Sequence, residues 1–224
     1  MRKIWILGLV GVLALVLAGC GGGGSSRSVF TGSIDSDRSV DADLTLDLSG
    51  GGTPTLALAS TNGNVLAGVT VDTGGTPVAD TRGFLNFSLS SIPLNASIRF
   101  ASVTVYLNQV TLDNSLLPTP FFLDLIDTDT FPPPIRTSDY SVAFIGTPRS
   151  FDFLNIDQGN FVEIEVTSLM QEAQIRGLST FEVRFGFDEA AYNADINTTR
   201  GLIVIDDRAS VPSQRPFLTV EYEN

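Results

Sequence analysis

Three closely spaced aspartates, Asp124, Asp127 and Asp129, stand beside Phe121, Phe122 and Phe131. Carboxylates at that density can ligate calcium, a hard cation that takes carboxylate and carbonyl oxygens and that extracellular domains bind weakly near their surfaces. The spacing is not that of an EF-hand loop, and a solvated acidic loop is the plain alternative. A second kind of chemistry is aromatic. Tyr106, Tyr140 and Tyr192 can stack on pyranose faces if they point outward, and are ordinary sheet-edge fillers if they do not. Asp206-Asp207-Arg208 reads as a turn with a local ion pair, worth little when exposed.

What the chain lacks is as informative. It has no histidine, a single cysteine and a single tryptophan, and its one lysine is Lys3. Ser-His-Asp and Cys-His sites need an imidazole base, Ser-Lys dyads need a lysine, and ordinary zinc sites need several His or Cys ligands. No Walker loop, dinucleotide fingerprint or G-x-S-x-G elbow occurs. A glycoside hydrolase or lyase built from two carboxylates alone remains open, against the reading that acidic residues on strands form a solvent face.

The residues that place the protein come first in the chain. Arg2 and Lys3 precede an apolar run from Ile4 to Val16, then Leu17-Ala18-Gly19-Cys20, the plan of a secretory signal. The run is short of the roughly 20 residues that span a bilayer and is followed by glycines, not by a basic flank. Leu17-Ala18-Gly19-Cys20 resembles the lipobox of bacterial lipoproteins, which implies a diacylglycerol on the Cys20 thiol and an acylated new amino terminus. Two or more chains hold a protein stably on a membrane, at about 0.8 kcal/mol per buried methylene. Gly21 stands where the Gram-negative sorting pattern places aspartate for inner-membrane retention, so the resemblance implies the outer membrane. No disulfide can form within the chain. Without Arg2 and Lys3, 11 basic residues face 25 acidic ones, a net charge of −14 (11 − 25), which makes nucleic acid an improbable partner and is read as a solvated surface.

The elements that must position these residues are strands. After residues 1–19 as signal, residues 20–37 carry the lipidated Cys20 and a Gly/Ser-rich tether, and residues 38–224 form one domain. Val40, Ala42, Leu44, Leu46 and Leu48 alternate with Asp41, Asp43, Thr45 and Asp47, which predicts a strand with apolar residues on one face and carboxylates on the other. Thr55–Ala59 and Asn64–Val71 read as strands joined by an Asn62-Gly63 hairpin. Leu85, Phe87 and Leu89 share a face, as do Ala101, Val103, Val105 and Leu107, with Pro93 and Asn95 between them. Val162–Val166 leads into a helix over Thr167–Arg176, with Ser168 and Gln171 in capping-box register and Gly177 ending it. Further strands follow at Phe181–Phe187, Leu202–Ile205 and Phe217–Tyr222. The fold class is all-β: an antiparallel, jelly-roll-like β-sandwich with one short helix.

Phe84-Leu85-Asn86-Phe87-Ser88-Leu89-Ser90-Ser91-Ile92-Pro93, then Ala96, Ile98 and Ala101–Leu107, resembles the signature of DNRLRE-type domains. These are β-sandwiches of bacterial surface proteins, related to carbohydrate-binding modules. Glu165–Glu172 and Arg215–Tyr222 resemble their short helix and closing strand. The resemblance covers Gly83 to the end, with Asn86 where the family has aspartate and Ala173 where it has tryptophan. Thr111–Arg149, with Pro118, Pro120, Pro132, Pro133 and Pro134, reads as a long insertion and a candidate functional edge, with a strand resuming over Tyr140–Ile145. The resemblance implies a non-catalytic, lipid-anchored envelope protein whose sandwich binds polysaccharide. The alternative is a structural module that contacts envelope proteins.

Overall fold

The computed structural model describes residues 28–127 and 135–223; Cys20, Asp129 and Phe131 lie outside them. The chain is all-β and antiparallel, with strands β1 (Val29–Asp35), β2 (Ala42–Asp47), β3 (Thr55–Leu58), β4 (Asn64–Val71), β5 (Pro77–Ser88) and β6 (Ser97–Leu112). These are followed by β7 (Thr119–Ile126), β8 (Phe144–Phe153), β9 (Phe161–Glu165), β10 (Thr180–Phe187), β11 (Gly201–Asp206) and β12 (Phe217–Glu223). Three short helices are described, not one: α1 (Ala59–Asn62), α2 (Thr167–Arg176) and α3 (Glu189–Ala194).

The strands run β1-β12-β6-β11-β4-β5-β10-β7-β8, with β2 and β3 added on β5 and β9 added on β6. β6 joins the two halves of this curled sheet: its first half pairs with β12 and β9, and its second half with β11. β5 and β6, consecutive in the chain, do not pair; β11 and β4 stand between them. The inward rows of the strands close one core that includes Leu85, Phe87, Val103, Val105, Phe121, Leu123, Phe181, Val183, Ile203 and Val220. Burying each such large side chain contributes about 1.5–3 kcal/mol.

Several local expectations are corrected. Residues 29–35 belong not to the tether but to β1, laid along β12. Asn62-Gly63 is no hairpin: Gly63, at φ 74°, ends α1, and β3 pairs with β2 alone. Nor is 111–149 a loose insertion, since β7 and the start of β8 lie within it, and Tyr140 sits in a 3-10 turn over Thr137–Ser141. Of the prolines that suggested a loop, Pro118 and Pro120 fall just before and at the start of β7, where a missing N–H costs least; Pro132, Pro133 and Pro134 lie outside the described residues. In α2 the N-cap position is Val166, not Ser168, and makes no side-chain cap; Gln171 instead donates to the Ile98 carbonyl at 3.0 Å. Gly177 ends this helix at φ 67°, as expected.

The polar face of β2 is the largest departure. Asp41 and Asp43 are 0% and 4% exposed, so this face is not a solvated carboxylate row. β2 lies on β5, and with the segment that follows residue 135 it covers the outer side of β5, β10 and β7. A second, smaller core forms there from Ala42, Leu44, Phe84, Ile126, Ile135 and Tyr140.

Candidate functional site

Along β5, β10 and β7 the residues between the core positions point outward, and register decides which of them meet. Arg184 on β10 is directly opposite Asp124 on β7 and Phe84 on β5. Its guanidinium grips Asp124 through both oxygens, Nη2 to Oδ2 at 2.7 Å and Nε to Oδ1 at 3.1 Å. Its Nη1 donates to the main-chain carbonyls of Tyr140 at 3.2 Å and Val142 at 2.9 Å. Both side chains are almost fully buried. Burial raises the Asp124 carboxyl above its usual range, and the hydrogen bonds and charge of Arg184 pull it back in part. The pair is therefore a structural clamp that ties the 3-10 turn to the sheet.

Beside it, Arg82 on β5 also donates to the Tyr140 carbonyl, and its guanidinium lies 4.2 Å above the centre of the Tyr140 ring. The Tyr140 hydroxyl donates to Asp80 Oδ2 at 2.5 Å. Burial, and then the Asp80 carboxylate, push the Tyr140 phenol far above its ordinary value, so it stays protonated.

Arg82, Asp124 and Arg184 border a cleft of about 330 Å³ that is also lined by Phe122, Phe144, Pro148 and Asp188. Its shape comes from an irregularity between β7 and β8, where two steps along β7, Leu123 to Leu125, match four along β8, Arg149 to Ile145. Gly146, at φ 72°, lies in the extra length. Bulges of this kind re-aim side chains, and Phe144 is left 53% exposed. Asp188 caps α3 by accepting from the Ala191 N–H at 3.0 Å and also accepts from the Ser150 hydroxyl at 2.6 Å. Both carboxylates of the cleft are thus committed, one to Arg184 and one to α3, which does not suit acid–base chemistry. What the cleft offers is the Arg82 guanidinium, itself 3.7 Å from Asp80 Oδ2, next to flat apolar rings.

Of the residues singled out from sequence, the fold brings Tyr140 and Asp124 together, through Arg184. Tyr140 is 8% exposed, too deep to stack on a sugar. Tyr106 on β6 is half-buried and packs edge-on against Phe161 at 5.2 Å. Tyr192 on α3 is covered by the Arg200 guanidinium at 4.3 Å. The three rings form no common surface. Asp124 is held by Arg184, Asp127 directly follows β7, and Asp129 lies outside the described residues, as does Cys20. Among the described residues no group of three or more His, Cys, Asp or Glu side chains gathers as a metal cage, and no helix is long and apolar enough to cross a membrane. Asp206 pairs with Arg208, as its spacing suggests.

The exposed aromatics of the cleft were legible in part. Phe121-Phe122 on one strand must send one ring inward and the next outward. Phe144 gave no such signal, because its exposure follows from the mismatch between β7 and β8. Compared with known families and with curated proteins, the chain matches no family model and no curated sequence.

Proposed function

We propose that this chain is a non-catalytic, exported lipoprotein, anchored by lipid at Cys20 in the outer membrane, whose cleft on the outer sheet face binds a carboxylated polysaccharide. The observation that carries the binding reading is the placement of Arg82 beside Phe122 and the exposed Phe144 in one cleft, in a chain whose net charge is otherwise strongly negative. A guanidinium recognises carboxylate through paired donors, and the neighbouring rings supply an apolar wall for a sugar. The lipid anchor is supported by Leu17-Ala18-Gly19-Cys20 behind a basic and apolar leader.

Affinity gels loaded with uronate-containing or neutral polysaccharides, run with the full chain in detergent, test the reading. Retention by the uronate gels is expected, weakening as salt is raised because the contact is partly ionic. Arg82→Gln is expected to lower affinity by about tenfold, the equivalent of one charge-assisted hydrogen bond of about 1.4 kcal/mol. Absence of retention by every polymer overturns the reading.

A further inference from the structure

We propose that Asp41 and Asp207, with the Ser36 hydroxyl beside them, form a buried site for a hard divalent cation, calcium by its donor chemistry, where the turn between β1 and β2 meets the end of β11. Both aspartates are 0% exposed. Asp41 Oδ1 accepts from the Asn86 N–H at 2.8 Å. Its Oδ2 has no hydrogen-bond partner, and neither carboxylate oxygen of Asp207 has one. Ser36 is near enough to Asp41 to favour its charged form, yet its Oγ closes no hydrogen bond of normal geometry.

The arginines nearby do not resolve this. Arg38 spends Nε on the Asp207 main-chain carbonyl and Nη2 on that of Ser60, each at 2.8 Å. Arg208 is turned to Asp206. Arg215 favours the charged form of Asp207 through space, but its Nε is itself without a partner. Burial, with the like charges of Asp206 and Asp37, pushes the Asp207 carboxyl up to about 7 against Arg38 and Arg215. Asp41 is raised well above its usual range by burial first and then by the charge of Asp207. Two buried carboxylates that repel each other, with three of their four oxygens lacking donors, cost free energy unless something compensates them.

A divalent cation supplies that compensation, since its charge reverses the local electrostatics. The donors are hard oxygens, three from carboxylates and one from a hydroxyl, with water or main-chain oxygen left to complete a calcium shell. The frame is fixed by backbone: the Asp41 N–H donates to the Asp37 carbonyl at 3.0 Å, the Ala59 N–H to the Asp41 carbonyl at 2.9 Å, and the Asp207 N–H to the Gly63 carbonyl at 3.0 Å. Neither Asp41 nor Asp207 lines the cleft that holds Asp124.

Isothermal titration of the full chain in detergent, stripped with EDTA and titrated with calcium chloride, tests the proposal. One calcium per chain is expected, with a dissociation constant on the order of 0.1–1 mM, as for extracellular modules. The melting temperature is expected to rise with calcium concentration, because a ligand of the native state alone stabilises it by mass action. Asp207→Asn and Asp41→Asn each weaken binding at least tenfold, whereas Asp152→Asn on β8 leaves it unchanged. Absence of both heat and thermal shift at 10 mM calcium, in a chain that unfolds cooperatively, overturns the proposal and leaves water bridged to Arg215 as the partner of Asp207. Calcium binding that survives in both Asn variants also overturns it. If neither variant folds, the wild-type titration decides, because a saturable response is expected with calcium and a weaker one with magnesium, which dehydrates reluctantly.

Discussion

At the scale of single residues, the outer face of β5, β10 and β7 is a set of cross-strand pairs whose partners sequence cannot name. The Arg184–Asp124 clamp is the strongest. Removing one member of a buried ion pair leaves the other charge uncompensated, so Asp124→Ala is expected to cost about 3–5 kcal/mol, read as a fall in the urea midpoint with an unchanged m-value. Asn86 is directly opposite Glu182, and its amide donates to Glu182 Oε2 at 3.1 Å. An aspartate at 86, the residue the family resemblance leads one to expect, sets like charges face to face. Asn86→Asp should therefore destabilise the protein at pH 7 and do so less at pH 4, where a carboxyl of the pair takes up a proton; an equal loss at both values in thermal melts refutes this. Alternation along the chain did place Leu85 and Phe87 inward and Asn86 outward. It did not tell that outward here means buried, because the cover comes from β2 and from residues after 135, both distant in sequence.

At the scale of elements, β8 and β9 do not pair, but the Arg149–Glu165 ion pair at 2.9 Å joins them. Glu165 also accepts the Thr167 N–H at 2.8 Å. Its hydrogen bonds to Thr167 outweigh a small effect of burial and, with Arg149, hold its carboxyl below the usual range. A carboxylate with a lowered native pKa adds stability that is present above its unfolded value, near 4.5, and is lost as pH falls through the native one. Glu165→Gln should hence leave stability less dependent on pH than in the wild type as pH falls below the unfolded value of 4.5, as followed by acid titration with circular dichroism. Gly186 on β10 is directly opposite Phe122 of the cleft wall, and a Cβ there would overlap the Phe122 ring. Gly186→Ala is expected to displace that wall and reduce polysaccharide retention while the sheet stays intact by far-UV spectra. The alternating strands and the Gly177 stop were legible because each is a local rule. β7 was not, since Pro118 and Pro120 signal a loop unless one knows that the strand begins there, and the Ser168–Gln171 spacing suited a cap until tertiary contacts drew Gln171 to Ile98.

At the scale of the molecule, the all-β class followed from repeated period-two segments, while the order of strands did not, because only pairing across long separations decides it. β1 illustrates the point: its residues looked like tether, yet it covers the edge of β12, with Phe30 stacked on Tyr222 at 5.6 Å. Deleting residues 29–35 is expected to bare that edge and to produce concentration-dependent association in size-exclusion chromatography, since an unpaired strand edge is a template for another chain. The register that sets Val29 against Glu223 joins nearly the first described residue to the last. That ladder has the largest loop to close of any in the sheet, and loop-closure entropy must be met before such a contact returns anything. On the export route proposed above, a chain that emerges amino end first would hold β1 without its partner until β12 has passed, so this strand would be the last to find its place.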